Sequence, residues 1–80
     1  MKLELLTPEK PILTDEVDEV VVPGALGEFG VLPGHTTFLT ELGPGRLVAR
    51  KGTATTEHQI AGGFCEVCED RVIVLADSMG

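Results

Sequence analysis

Glycine and proline divide this chain at intervals too short for long helices, and this spacing constrains the fold more than any other feature. Between the turn signals lie short segments rich in Val, Leu, Ile and Thr, which is typical of a β-sandwich or barrel. No window combines a sustained 3.6-residue period with helix caps, so the sequence predicts an all-β domain with little or no helix. The signals are Thr7-Pro8-Glu9, Pro23-Gly24, Pro33-Gly34, Gly43-Pro44-Gly45, Lys51-Gly52, Gly62-Gly63 and Glu69-Asp70.

Three segments show the kinds of strand that we expect. Residues 3–5 alternate between apolar and charged side chains, as in a half-buried strand. In residues 46–51, Leu47 and Ala49 face one way, while Arg46, Val48 and Arg50 face the other. Residues 72–75 are all apolar, which predicts a strand that is covered on both faces.

Composition restricts the class of partner. The chain has 13 acidic and 6 basic residues, a formal net charge of −7. This balance argues against nucleic acid, where Lys and Arg must neutralise phosphates, and against insertion among anionic lipids. No apolar run approaches the ~18 residues of a membrane span, and no signal peptide is visible, so we expect an intracellular domain. A small core of this kind would gain stability from a large interface with a basic protein surface.

Motifs for catalysis or for phosphate binding are weak. The glycines at 24, 27 and 30 have GxxGxxG spacing, but no helix follows them and Glu28 would repel a phosphate. They are better explained as turn and bulge residues that need positive φ. The chain has a single serine, Ser78, and no nucleophile motif surrounds either cysteine. The acidic cluster at residues 15–19 is expected to be solvated surface, so no catalytic residue and no cofactor are predicted.

Cys65 and Cys68 form one CxxC, a weak signal for zinc or redox chemistry when it stands alone. In a strand, residues i and i+3 point to opposite faces, and their Cα atoms lie about 10 Å apart at about 3.3 Å per residue. That separation is too long for a disulfide, although a turn at Cys68 would shorten it. We therefore expect Cys65 in the core, Cys68 near a hairpin turn at Glu69-Asp70, and no metal site.

Residues 21–42 are the most distinctive part of the chain. They hold Gly27-Glu28-Phe29-Gly30 and Pro33-Gly34-His35-Thr36 between two apolar runs. Such a segment needs tight backbone geometry and presents only a few polar side chains. It is more typical of a docking surface than of an active site.

The segment Gly27-Glu28-Phe29-Gly30-Val31-Leu32-Pro33-Gly34-His35-Thr36 resembles the signature loop of the ε subunit of F-type ATP synthases, called δ in mitochondria. The resemblance extends over nearly all 80 residues in the family's order. The other matching elements are residues 5–9, 20–24, 39–42 with Gly45, 60–67 ("GGFxEV") and 72–78 ("VxVLAD").

This resemblance implies a ten-stranded β-sandwich of two packed antiparallel sheets at the foot of the rotor. In the family this domain binds the γ subunit, rests on the polar loops of the c-subunit ring and couples proton-driven rotation to ATP synthesis. It carries no catalytic residue and no cofactor. It lies peripherally at the cytoplasmic face of the energy-transducing membrane.

The resemblance also implies the partner-binding residues. Glu28 would face the polar loops of the ring, which carry a basic residue, and His35 would lie at the γ contact. Phe29, Leu32 and Thr36 belong to the same loop and are predicted to bind a partner with them.

Family members continue beyond the Ala-Asp-Ser element into a two-helix domain, whereas this sequence stops at Gly80. We therefore expect a single sandwich domain over residues 1–80, without helix-type inhibition or ATP binding. Two alternatives remain. The chain could be a β-sandwich adaptor for another partner, or a small zinc or redox protein using Cys65, Cys68, His35 and His58.

Overall fold

The computed structural model describes residues 1–34 and 37–78, and within these ranges every regular element is a β-strand. This confirms the all-β prediction, although nine strands are found where ten were expected. In the same ranges, no helix is long and apolar enough to cross a membrane. The strands are β1 (Lys2–Leu6), β2 (Pro11–Glu16), β3 (Glu19–Gly24), β4 (Gly27–Val31), β5 (Phe38–Leu42), β6 (Gly45–Lys51), β7 (Ala54–Ile60), β8 (Gly63–Cys68) and β9 (Arg71–Ala76).

The strands of the described residues form one continuous, curled sheet in the order β2-β1-β9-β8-β5-β3-β6-β7, with β4 paired to β3. Two separate antiparallel sheets were expected, and the structure corrects this in two ways. β3 pairs with β6 near its start and with β5 at its end, where Gly24 lies opposite Leu42. The layer of β2, β1, β9, β8 and β5 is therefore joined to the layer of β4, β3, β6 and β7. β1 and β9 are parallel.

Aliphatic side chains fill the space inside the curl. The pattern predicted for β6 is confirmed, because Leu47 and Ala49 are buried while Arg46 and Arg50 are exposed. The largest fully buried side chains are Leu3, Leu5, Leu47, Ile60, Val20, Val22, Val31, Val67, Val72, Val74 and Cys65.

β9 departs from the prediction that both of its faces are covered. Val72 and Val74 are fully buried, but Leu75, on the other face, is 50% exposed. Ile73 on that outer face is only half-buried. The strand is apolar on both sides, yet nothing in the described part of the chain covers its outer side.

The Gly62-Gly63 pair lets β8 approach β9 closely. Gly63 has φ 138°, and a Cβ there would lie 2.0 Å from the carbonyl oxygen of Leu75. Any side chain at this position would therefore force β8 and β9 apart. In the resulting register, Phe64, the residue after Gly63, lies opposite Leu75 on the outer side of the sheet.

Candidate partner-docking surfaces

The β3–β4 hairpin carries Glu28 and Phe29, the first two of the predicted partner-binding residues. Gly24 lies opposite Gly27, so Ala25 and Leu26 alone form the turn between the strands. Gly27 has φ 138°, which suits glycine at the start of β4. The side chain of Leu26 is fully exposed at the tip.

Glu28 and Phe29 lie on opposite faces of this hairpin. Phe29 is opposite the buried Val22, so its side chain points inward, where it is half-buried. Its ring centroid lies 5.4 Å from that of Phe38 with an interplanar angle of 59°. Glu28 is opposite Pro23 on the outer side and is exposed. Alternation along β4 therefore presents Glu28 to a partner while Phe29 supports the hairpin from within.

Glycine at position 24 makes room for the Phe29 ring. A Cβ there would lie 2.6 Å from the carbonyl oxygen of Gly27 and 3.0 Å from Cε1 of Phe29. The expectation of positive φ at these glycines is therefore confirmed for Gly27 and wrong for Gly24 and Gly30. Gly24 is instead required by the close approach of Gly27 and Phe29.

Two backbone hydrogen bonds fix the hairpin tip to the end of β5. The amide of Ala25 donates to the carbonyl oxygen of Glu41 at 3.0 Å, and the amide of Gly43 donates to that of Pro23 at 2.8 Å. Together with the Gly24–Leu42 pair, these bonds attach the hairpin tip to the end of β5.

The rest of the predicted loop follows β4. Leu32 lies just after the strand and is 51% exposed, so it is available to a partner. His35 and Thr36 fall outside the described residues, and their predicted roles stay predictions.

A second candidate surface lies on the outer side of β5, β8, β9 and β1. Leu39, Phe64 and Leu75 are 67%, 49% and 50% exposed there. In the strand registers, Leu6, Leu75 and Phe64 lie side by side, and Ile73 is separated from Leu39 by Glu66. We call this set the outer apolar face; its members are Leu6, Leu39, Phe64, Ile73 and Leu75.

Sequence analysis missed the outer apolar face because it took the unbroken run at residues 72–75 for a covered strand. The signal was present, since an apolar residue at every position of a strand in a small domain needs a cover on each side. Contiguous exposed apolar side chains on a small protein mark an interaction surface.

Comparisons with known proteins agree with this fold. A family model described as "ATP synthase, Delta/Epsilon chain, beta-sandwich domain" matches residues 1–79. The chain belongs to this family. The ATP synthase epsilon chain 2 of Syntrophotalea carbinolica is 49% identical over 78 residues, which is 98% of this chain and 56% of the relative. The epsilon chain of Myxococcus xanthus is 47% identical over 78 residues, or 98% of this chain and 57% of the relative.

Solved structures give the same result. A chain of the Euglena gracilis mitochondrial ATP synthase (OSCP/F1/c-ring) matches with a TM-score of 0.89 and 30% identity, over 98% of this chain and 51% of that one. A chain of the Tetrahymena thermophila mitochondrial ATP synthase (central stalk/c-ring) matches with a TM-score of 0.83. That match has 16% identity over 99% of this chain and 64% of that one, and it shows the fold alone.

The resemblance inferred from the signature loop is thus confirmed at the level of the delta/epsilon family and its β-sandwich domain. The chain spans a little over half the length of the curated relatives, 56% for the first of them.

The charges of this delta/epsilon domain are unevenly compensated. On the outer side of β6, Arg46 pairs with Glu57 at 2.9 Å and Arg50 with Glu19 at 3.4 Å. The carboxylates of Glu28, Glu41 and Glu66 make no hydrogen bond or ion pair with any other residue in the described ranges. Uncompensated negative charge therefore lies at the hairpin tip and beside the outer apolar face.

The two cysteines lie where the strand geometry predicted. Cys65 is fully buried, Cys68 is exposed, and the turn at Glu69-Asp70 follows at once. Burial raises the pKa of the Cys65 thiol to about 11. Within residues 1–34 and 37–78, no three His, Cys, Asp or Glu side chains lie close enough together to hold a metal ion.

Proposed function

We propose that this domain is a non-catalytic central-stalk subunit of a proton-translocating F-type ATP synthase. It docks on the γ subunit and on the polar loops of the c-ring, and it couples proton-driven rotation of the ring to ATP synthesis. It lies peripherally at the cytoplasmic face of the energy-transducing membrane. The observation that carries this proposal is the outer apolar face, which the described part of the chain leaves uncovered.

The outer apolar face is the surface that we assign to γ. Phe64 and Leu75 are each about half exposed although both belong to paired strands. Burying large apolar side chains stabilises a complex by roughly 25 cal/mol for each Å² removed from water. A subunit that must carry load without dissociating needs an interface of this apolar type. By the family resemblance, His35 would lie at the same contact.

The hairpin tip is the surface that we assign to the c-ring. Glu28 is exposed there without an ion partner in the described residues, and Leu32 is exposed beyond the strand. An acidic tip suits a basic residue in the polar loops of the ring, because complementary charge sets orientation and register. The 30% identity to a chain of the Euglena OSCP/F1/c-ring assembly supports this assignment.

β5 connects the two surfaces. Its end is fixed to the hairpin tip by the backbone hydrogen bonds of Ala25 and Gly43, and its outer side carries Leu39. Force applied at the tip therefore reaches the outer apolar face through a paired strand rather than through a loop. Closely packed β-layers deform little, which suits a part that transmits torque.

The test is reconstitution of coupling. ATP synthase that has been depleted of its epsilon chain is supplemented with this chain, and ATP-driven proton pumping is measured in inverted vesicles. We expect the chain to restore pumping, and Phe64→Ser to abolish restoration while remaining folded. A folded chain that restores nothing would contradict the proposal and favour an adaptor with another partner.

A further inference from the structure

The two edge strands of the curled sheet, β2 and β7, lie on opposite sides of an open cleft. In the described residues they end the strand order and do not pair with each other. The cleft has a volume of about 520 Å³, and the buried side chains of Leu3, Val17 and Ala49 form its floor. An ion pair of 3.1 Å between Lys51, at the end of β6, and Asp15 of β2 joins the two sides. The sheet is therefore curled toward closure but remains open along β7.

Backbone groups of β7 are free on the side away from β6. A two-residue turn with Gly52 at φ 60° precedes the strand, so Lys51 and Ala54 close the hairpin as a hydrogen-bonded pair. Hydrogen-bonded and non-hydrogen-bonded pairs then alternate along the ladder. Arg50 fits this alternation, because its carbonyl oxygen accepts from the amide of Asp18 on the β3 side at 2.7 Å. The residues of β7 whose backbone groups point away from β6 are Thr55, Glu57 and Gln59.

The two edges differ in how they are protected against pairing with another chain. Natural edge strands are commonly blocked by proline, by charged side chains or by a bulge. β2 has all three, since it begins at Pro11, its register with β1 shifts once, and it carries Asp15 and Glu16. β7 has no proline and no register shift, and the carboxylate of Glu57 is already in an ion pair. The edge of β7 is therefore open to strand addition.

The two sides of β7 indicate which side chains an added strand should carry. Thr56 lies opposite the buried Ala49, so the inner side of β7 borders the apolar floor of the cleft. On the outer side, Oε1 of Glu57 accepts from Arg46 at 2.9 Å, while Oε2 makes no hydrogen bond with another described residue. A basic residue directly opposite Glu57 would therefore complement its charge.

We propose that the edge of β7 binds an extended segment of a partner protein as an additional antiparallel strand, with apolar side chains in the cleft and a basic residue opposite Glu57. Main-chain hydrogen bonds supply affinity in this mode, and the alternate side chains supply specificity. A helix would leave the edge groups of β7 unpaired, and a second copy of β7 would bring its own polar Thr56 and His58 to the apolar floor. This site is separate from the outer apolar face and the hairpin tip, and it goes beyond the function proposed above.

The probe is a peptide of alternating pattern, acetyl-Val-Thr-Val-Lys-Val-Thr-Val-amide, titrated into the ¹⁵N-labelled chain. We expect saturable amide shifts at Thr55, Glu57 and Gln59. N-methyl groups on the Thr and Lys nitrogens, which would face β7, should weaken binding at least about tenfold. The same number of N-methyl groups on Val nitrogens, which would face away, should leave it nearly unchanged. Equal binding of the two methylated peptides, or shifts confined to other strands, would overturn the proposal.

Variants of the chain test the edge and the charge separately. Gln59→Pro removes an N–H that points away from β6, so it should keep the fold and weaken peptide binding about tenfold, whereas Gln59→Ala should not. Glu57→Gln should weaken binding, and Glu66→Gln, which changes an exposed carboxylate on β8, should leave it unchanged. Equal weakening by the two Gln variants would show only long-range attraction to an acidic protein and overturn the proposal. Circular dichroism checks each fold, and if Gln59→Pro unfolds, the methylated peptides decide.

Two further measurements test the occupant. A peptide with serine in place of every valine should bind about tenfold more weakly, because it leaves the apolar floor uncovered. Equal binding would overturn the role of the cleft. Sedimentation of the chain alone should show a monomer. A dimer that Gln59→Pro dissociates would make a second copy the occupant and overturn the proposal.

Discussion

The two layers of this domain differ in whether the side chains on their outer sides already have partners within the chain. On the β6 side, Arg46 and Arg50 each form an ion pair with a carboxylate on a neighbouring strand, so the cations of that surface already have partners. On the β8–β9 side, Phe64 and Leu75 lie beside each other half exposed. Both surfaces are exposed, but only the second would gain by meeting another protein. Exposure alone therefore does not identify a docking surface, whereas adjacent apolar side chains that are left in contact with water do.

Phe64→Ser is the strongest way to break this comparison. The change removes the aromatic side chain of the outer apolar face, and we expect it to weaken γ binding by about 2–4 kcal/mol, as for a hot-spot aromatic residue. Surface plasmon resonance with immobilised γ measures this directly. Arg46→Gln on the ion-paired side is the control, and it should leave the affinity within about twofold. Equal losses would show that the two surfaces do not differ in function.

Glu28→Lys tests whether the hairpin tip acts separately from the outer apolar face. Because Glu28 contacts the ring rather than γ in this account, the variant should lower ATP-driven proton pumping by roughly 1–2 kcal/mol in coupling free energy. Its affinity for γ and its melting temperature should stay those of the wild type. A matching drop in thermal stability would indicate a structural role for Glu28 instead.

β8 carries one cysteine on each side of the layer, so the inner and outer sides can be compared within a single strand. We expect Ellman's reagent to modify Cys68 in the native chain and Cys65 only on unfolding, because Cys65 is fully buried. Bound γ should slow modification of Cys68, which lies on the outer side beside Arg71. Equal modification rates for the two thiols in the native chain would contradict the burial pattern.

The buried thiol also predicts an alkaline loss of stability. Because the pKa of Cys65 is raised from 9.0 to about 11, the unfolded chain binds fewer protons than the folded one between these values. The free energy of unfolding should therefore fall as the pH rises from 9.0 to about 11, and urea titrations across this range measure it. Cys65→Ala should remove this slope whatever its effect on stability at neutral pH.

The smallest effect is expected at the ion pair between Lys51 and Asp15. A hydrogen bond from Lys51 holds the pKa of Asp15 below its ordinary value of 3.8. Asp15 therefore contributes stability that is present above pH 3.8 and is lost as the pH falls through its folded-state pKa. Acid titration followed by circular dichroism should show a shallower loss for Lys51→Gln than for the wild type. An identical profile would mean that this pair adds nothing.

Local patterns predicted the strands well, because turn residues and alternation act within a few positions. The face of Cys65, the turn at Glu69-Asp70 and the inner side of β6 all follow from period-two geometry. That geometry also separates Glu28 from Phe29, although sequence analysis grouped them as contact residues.

What could not be predicted depends on distant registers. The joining of the layers rests on the pairing of Gly24 with Leu42, two residues that are far apart in sequence. The outer apolar face was missed for a different reason. Alternation shows that both sides of β9 are apolar, but it does not show whether the chain itself or a partner covers each side.

The most direct test of the central claim is calorimetric titration of the wild-type chain against purified γ at several temperatures. If the outer apolar face docks on γ, binding should be micromolar or tighter, with a negative heat-capacity change from the buried apolar surface. A folded chain that does not bind γ, or that binds without a heat-capacity change, would contradict the claim.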